Sequence, residues 1–366
     1  MRKTSVYPKK NPLHHLLLSS FLTAILICLT VTNVSGEALP KVRVVSVRRV
    51  FHNGEHNAFT DMCRFQGRYY LAFRSCPDGH SVFSTASIIV LSSSDTKTWE
   101  QVYRFSVEKR DTRDPHFLVF NNKLFVYTGT WYCGGTSPSP EERDLNRHLG
   151  YAVRTENGRD WQGPEMLEGT YGHYIWRAAT YGGKAYLCGR RKNEFVENPP
   201  QDEYRKIIES AMLESNDGLI WKKAALFQEE NGDETAFLFE PDGSIVAVGR
   251  RGGNNAELCM SKPPYSTWQR TDLGRYIGGP LLATWQGRYL VGGRKHAGDN
   301  SVTSLCWLVN GTLHEFAELP SDGDNSYPGF IELSKTKALV SYYSSHEKDS
   351  QGNIITAIYL AELEIE

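Results

Sequence analysis

One layout recurs six times along this chain and constrains its fold more than any other feature: an apolar run, a tight turn, and a second apolar run. The clearest copy is Asp233-Glu234-Thr235-Ala236-Phe237-Leu238-Phe239, then Asp242-Gly243, then Ile245-Val246-Ala247-Val248-Gly249-Arg250-Arg251. Asp-Gly between alternating apolar runs predicts a β-hairpin, because a two-residue hairpin turn needs φ > 0 at both centres. Antiparallel pairing then brings Glu234 and Arg250 to the same edge of the sheet. The other copies cover residues 58–74, 113–127, 174–190, 278–294 and 327–343. The glycines of Gln66-Gly67, Gly182-Gly183, Asp242-Gly243 and Gln286-Gly287 lie 116, 60 and 44 residues apart, so one unit takes about 45–60 residues, a period that means a propeller when it is built of short strands. The expected fold is all-β, a six-bladed β-propeller with four-stranded antiparallel blades, occupying residues 37–366 as a single domain.

Residues 1–36 differ from the rest. Arg2, Lys3, Lys9 and Lys10 make a basic start, residues 16–31 are apolar, and Val34-Ser35-Gly36 offers small residues for cleavage. The apolar run is short for a membrane span, so the segment is expected to be a secretory signal peptide, with an uncleaved anchor as the alternative. Its removal takes four of the 41 basic residues and none of the 42 acidic ones, which leaves 37 against 42. A mildly acidic chain without a basic stripe argues against a nucleic-acid partner. The expected location is extracellular. Six cysteines remain after Cys28 is lost, an even number that permits disulfides there without selecting a pairing. Asn310-Gly311-Thr312 is a glycosylation sequon. No CxxC or HxxxH spacing suggests zinc, no nucleotide loop is present, and no cofactor is expected, although loop carboxylates are able to hold calcium.

A second repeat lies between the hairpins. Ser93-Ser94-Asp95-Thr96-Lys97-Thr98-Trp99, Thr155-Glu156-Asn157-Gly158-Arg159-Asp160-Trp161 and Ser215-Asn216-Asp217-Gly218-Leu219-Ile220-Trp221 share one frame, with a degenerate relative ending at Trp268. Ser/Thr and Asp/Asn side chains bond their own backbone to shape a turn, and tryptophan plugs that turn onto the blade. These boxes are expected to be folding devices that do not touch a substrate. They resemble the Asp-boxes (bacterial neuraminidase repeats) of the sialidase superfamily, and the resemblance covers residues 42–366. Ser326-Tyr327-Pro328-Gly329 and Ser341-Tyr342-Tyr343-Ser344-Ser345-His346-Glu347 look like a secreted, sialidase-like bacterial group.

In a propeller the innermost strands converge on the axis. Their starts carry His56, Asn57 and Asp61, Arg113 and Asp114, Trp176 and Arg177, Asp233 and Glu234, Gly278 and Gly279, and Tyr327; Arg74, Arg190, Arg250 and Arg294 end the returning strands on the same side. Convergent guanidinium groups suit an anionic ligand. Similarity to the sialidase arginine triad puts Arg250 in the second position and Arg294 in the third, with Tyr327 as nucleophile and Glu234 as its base. The anomeric carbon of a sialic acid already bears a carboxylate, which repels an anionic nucleophile. A phenol stays neutral until a glutamate takes its proton.

Where the family carries Arg-Ile-Pro, this chain has His56-Asn57-Ala58-Phe59-Thr60-Asp61, so Arg113 or Arg177 would supply the first arginine. The family's acid/base loop is here Cys76-Pro77-Asp78-Gly79-His80, which makes Asp78, His80 or Asp61 the proton donor. Trp176, Asn57 and Asp114 complete the expected substrate contacts. The resemblance implies a retaining exo-glycosidase that acts on a glycan ending in sialic acid or a related acidic sugar. Two alternatives stand beside it. One is a glycosidase using paired carboxylates from Asp61, Asp114 and Glu234, since Arg113-Asp114-Pro115 looks like an element of other propeller glycosidases. The other is a carbohydrate-binding propeller without catalysis.

Overall fold

The computed structural model describes residues 38–366 apart from 135–136, 140–142 and 197–199; the expected signal segment 1–36 lies outside the described residues. Pro40–Glu366 is one compact unit. It begins with strand β1 (Val42–Phe51) and continues as five sheets in chain order. Blade one holds β2 (His56–Phe65), β3 (Arg68–Cys76), β4 (Ser87–Ser93) and β5 (Glu100–Phe105). Blade two holds β6 (Arg110–Phe120), β7 (Lys123–Tyr132), β8 (Leu149–Thr155) and β9 (Trp161–Met166). Blade three holds β10 (Tyr174–Tyr181), β11 (Lys184–Lys192), β12 (Ile208–Ser215) and β13 (Lys222–Gln228). Blade four holds β14 (Thr235–Phe239), β15 (Ile245–Arg251), β16 (Asn254–Ser261) and β17 (Trp268–Asp272). Blade five holds β18 (Gly278–Trp285), β19 (Arg288–Ala297), β20 (Asn300–Val309) and β21 (Thr312–Leu319). Blade six contains β22 (Asn325–Glu332), β23 (Lys337–Lys348) and β24 (Ile354–Ile365), and β1 supplies its fourth strand.

The fold is therefore the six-bladed propeller of four-stranded antiparallel blades that the hairpin repeat predicts. β1 pairs with β24 from Val42↔Ile365 to Phe51↔Ile358. This bond between the two ends of the domain covers an edge that would otherwise expose unpaired backbone groups. Neighbouring blades bury apolar faces against each other: Tyr70, Val90 and Phe105 of blade one pack with Phe117, Leu124 and Val153 of blade two. No helix among the described residues is long and apolar enough to cross a membrane.

Most predicted turns have the expected geometry. Gln66-Gly67, Gly182-Gly183 and Gln286-Gly287 have positive φ at both residues, as does Asn310-Gly311, which puts the sequon at the tip between β20 and β21. Asp242-Gly243 differs. Only Gly243 is left-handed there (φ 83°), and its N–H bonds the carbonyl of Glu240 at 2.9 Å. Pro241 fixes φ near −65°, so the loop is a type I turn closed by a left-handed glycine. The boxes behave as folding devices. Asp95 Oδ1 accepts the N–H groups of Lys97 and Thr98, and Asp217 Oδ1 those of Leu219 and Ile220, all at 2.8–2.9 Å. The six cysteines among the described residues are all free.

Closure by β1 generates a prediction. A chain lacking residues 1–51 should unfold several degrees below one that begins at Pro40 and form aggregates through the bare β24 edge. Thermal unfolding with size-exclusion chromatography reads both effects, and equal midpoints would show that blade six holds with three strands.

Candidate functional site

The mouth of the propeller is built by a backbone device. In five of the six innermost strands the register slips by one residue near the start: between Ala58 and Asp61, Arg113 and His116, Trp176 and Ala178, Gly278 and Leu281, and Ser326 and Gly329. Such a bulge bends a strand and re-aims a side chain. Four of the five contain a left-handed residue: Phe59 (φ 61°), Asp114 (φ 50°), Gly279 (φ 59°) and Tyr327 (φ 50°). Holding a bulky residue there costs on the order of 1–3 kcal/mol, and the surroundings over-determine it at Tyr327. Thr60 Oγ1 donates to the Tyr327 carbonyl at 2.8 Å, and Arg177 Nη2 donates to the Pro328 carbonyl at 2.6 Å. A Cβ on Gly279 would lie 2.6 Å from two Tyr327 ring carbons. Glycine is thus required both by its φ and by the tyrosine beside it.

Tyr327 and Glu234 meet across the axis. The phenol donates to Glu234 Oε1 at 2.7 Å, while Glu234 Oε2 accepts from Arg250 Nη1 at 3.0 Å and from the Gly279 N–H at 3.1 Å. Arg250 Nη1 also lies 3.4 Å from the phenol oxygen. Burial, then the negative charge of Glu234, pushes the Tyr327 phenol well above its ordinary range. It is a neutral donor aimed at a carboxylate. Phe59 and Trp176 pack on its ring at 4.9 and 6.2 Å.

A second cluster adjoins the first. Asp324, just before β22, receives four hydrogen bonds. His56 Nε2 and His80 Nδ1 meet its Oδ2 at 2.8 and 2.6 Å; Arg294 Nη2 and the Tyr343 hydroxyl meet its Oδ1 at 3.0 and 2.8 Å. Burial opposes ionisation, but the bonds from His56 and His80 hold the Asp324 carboxyl well below the usual range. The Arg294 guanidinium lies over the Tyr327 ring, 5.8 Å from its centre.

Asp114 is the odd group of the mouth. It is buried, and its Oδ1 lacks a partner. Burial and the charge of Glu234 push its carboxyl up to about 8. At neutral pH it carries a proton among ionised neighbours.

The other expected residues have contacts of their own. Asp61 Oδ1 binds Arg177 Nη1 at 2.8 Å, and its Oδ2 accepts the Phe117 N–H at 2.9 Å. Burial raises this carboxyl, but Arg177 and His116 overcome that and keep it ionised. With the Pro328 contact, the pair ties blades one, two, three and six together. It floors the mouth above an axial cavity of about 340 Å³ lined by Met62, Phe117, Phe237 and Leu282. Arg113 binds Asp111, which also takes Arg74 Nε and Nη2 at 3.1 and 3.0 Å. Arg190 binds Asp233 at 2.6 Å. The free arginines expected for an anion are thus each ion-paired within the protein, because a buried guanidinium needs a counter-charge. Asn57 spends its amide on Asn53, Glu55 and Thr356 and accepts from Ser75, so it serves the blade. Asp78 is exposed and bonds Thr85. Trp176 is buried under the tyrosine and touches no solvent.

Asp324, Tyr343 and Asp111 belong to the mouth and escape the sequence reading. Asp324 sits in a polar run, Ser321-Asp322-Gly323-Asp324-Asn325, which carries the signature of a loop and gives no sign of its distant partners.

No protein-family model and no curated protein matches the chain. Solved structures do. A protein of unknown function from Dyadobacter fermentans is 21% identical, with a TM-score of 0.72 over 90% of this chain and 100% of that one. Trypanosoma rangeli sialidase in complex with the inhibitor DANA is 13% identical, with a TM-score of 0.62 over 87% of this chain and 58% of that one. Phage phi92 endosialidase is 9% identical, with a TM-score of 0.62 over 88% of this chain and 69% of that one. The chain spans less than two thirds of the trypanosomal enzyme. At these identities the likeness establishes a shared propeller fold.

The contact between Gly279 and Tyr327 is testable. Gly279→Ala should cost about 1–3 kcal/mol in denaturant unfolding, clearly more than Gly67→Ala, where φ is also positive (78°) but nothing lies within 4 Å. Equal costs would mean that backbone strain alone, and not the tyrosine, requires the glycine.

Proposed function

We propose that the protein is a retaining exo-glycosidase of the sialidase type, which releases a terminal sialic acid or related acidic sugar from glycans. The observation that carries this reading is the 2.7 Å hydrogen bond from the Tyr327 hydroxyl to Glu234 Oε1. A phenol that is buried, neutral and aimed at a carboxylate is an activated nucleophile waiting for an electrophile. As the Tyr327 oxygen bonds the anomeric carbon, its proton passes to Glu234 and the glycosidic bond breaks. The departing oxygen needs a proton. Asp114 is the carboxyl that holds one at neutral pH, whereas the Asp61 carboxyl is ionised by Arg177. Water then attacks the anomeric carbon while Asp114, which gave its proton to the departing oxygen, takes one from that water; the bond to Tyr327 breaks and Glu234 returns its proton to the phenol oxygen. Arg250, within reach of both Glu234 and the phenol oxygen, offsets charge developing between them.

Propeller neighbours that bear the name sialidase support this reading at the level of fold. The proposal includes export through residues 1–36. A second reading keeps Asp114 and Glu234 as an acid and base pair without the tyrosine; the Asp114 carboxyl, raised by burial and by the charge of Glu234, favours it, as such a pair divides the two roles.

Kinetics with sialosides separate the readings. Tyr327→Phe and Glu234→Ala should each lower kcat by about 10³-fold or more, whereas the second reading leaves Tyr327→Phe close to wild type. Asp114 acts in its protonated form, so activity should fall as pH rises through about 8. Asp114→Asn should remove that alkaline limb and lower turnover by about 10²–10⁴-fold on alkyl glycosides. It should do so much less on methylumbelliferyl glycosides, whose leaving group needs no proton. An unchanged limb in Asp114→Asn would remove Asp114 from the reaction.

A further inference from the structure

We infer that His56, His80 and Asp324 form a binding site for a divalent transition-metal ion, with Zn²⁺ as the best-fitting ion, at the rim of the mouth. Nothing in the sequence spacing announces it. His56 opens β2, His80 lies in the loop between β3 and β4, and Asp324 precedes β22. The fold brings one ligand atom of each within 4.8 Å of the others.

The two imidazole nitrogens point at one and the same carboxylate oxygen, His56 Nε2 at 2.8 Å and His80 Nδ1 at 2.6 Å from Asp324 Oδ2. Two nitrogens and one oxygen converging on a point are the donor set of a zinc site that keeps a position open. With the hydrogen of each ring on its other nitrogen, which for His56 is the buried and unpartnered Nδ1, the ion takes the place of the two hydrogen bonds. No net proton is consumed.

The supporting groups are already in position. Asp324 Oδ1 is occupied by Arg294 and by the Tyr343 hydroxyl, which orients the carboxylate and leaves Oδ2 for an ion; outer partners of this kind fix metal ligands. The loop that carries His80 is tied down on both sides. Arg74 donates to the carbonyls of Gly79 and Ser81 at 3.0 and 2.9 Å, and Arg113 donates to those of His80 and Ser81 at 3.3 and 2.7 Å. The His80 ring packs edge-on against Phe59 and His56. Its side chain is 53% exposed, which gives an ion a way in and leaves room for an outside ligand.

The site bears on the charge of the mouth. Arg294 and Asp324 cancel, and Arg74, Arg113, Arg177, Arg190 and Arg250 are paired with Asp111, Asp61, Asp233 and Glu234. A bound dication would add positive charge beside Tyr327, with an open position suited to a sugar carboxylate. That consequence rests on the proposed glycosidase reading; metal binding itself does not.

Calorimetric titration of the tag-free full chain with ZnCl₂, after stripping with EDTA, tests the site. One ion should bind per chain and raise the unfolding temperature, and His80→Ala should weaken binding by about tenfold or more. Because His80 is exposed, that variant leaves the fold intact; Asp324→Asn should act in the same direction. Absence of binding to the wild type, or equal binding by wild type and His80→Ala, overturns the site. Either result leaves the roles of Tyr327 and Glu234 standing, since those are read by turnover.

Discussion

A charged side chain turned into the axis of a propeller leaves water, and the mouth of this protein is organised by that cost. Burial of an unpaired ion is worth several kcal/mol or more, so each such group finds a counter-charge or gives up its charge. Asp61 and Arg177 take the first course, as do Asp111 with Arg74 and Arg113, and Asp324 with Arg294. Asp114 takes the second and keeps its proton. Tyr327 enters neutral and places its one hydrogen on Glu234. The acid, the base and the phenol of the proposed reaction are products of the same constraint that fixes the ion pairs around them.

The hairpins position these groups. β14 and β15 pair without a bulge, from Thr235↔Gly249 to Phe239↔Ile245, and this straight register holds Glu234 beside Arg250. The bulged strands around them bring Phe59, Asp114, Gly279 and Tyr327 to equivalent places. One regular blade and its irregular neighbours give a rigid carboxylate facing a re-aimed tyrosine. Long blade contacts and the β1–β24 pairing keep the six inner strands in a closed ring, so the geometry at the axis does not depend on any single loop.

Much of this is legible in the sequence, for reasons that differ residue by residue. Gly182-Gly183 and Gln286-Gly287 announce hairpins because few residues accept left-handed turn positions. Glu234 and Arg250 are legible as partners because antiparallel register is fixed by the turn between them. The turn itself is misread, since Pro241 draws a third residue into the loop. The bulges are invisible: nothing in Ala58-Phe59-Thr60 or Ser326-Tyr327-Pro328 separates a slipped register from a regular one. Arg177 looks free in the sequence because its counter-charge comes from packing, whereas Arg113 binds Asp111 only two residues earlier on the same strand. Asp61 lies 116 residues from Arg177, and only the closed ring brings them together. Asp324 is lost for the same reason, with His56 268 residues away and His80 244.

The claim on which the account turns is that the Tyr327 oxygen forms a bond to sugar. Peptide mass spectrometry after incubation with a difluorinated sialic acid tests it most directly. Fluoride at the anomeric carbon leaves readily, and fluorine at the neighbouring carbon slows the water step by disfavouring positive charge on the ring. One sugar mass is expected on the peptide that carries Tyr327. A sugar mass on Asp114 or Glu234, or turnover of sialosides with no trapped protein at all, would contradict it.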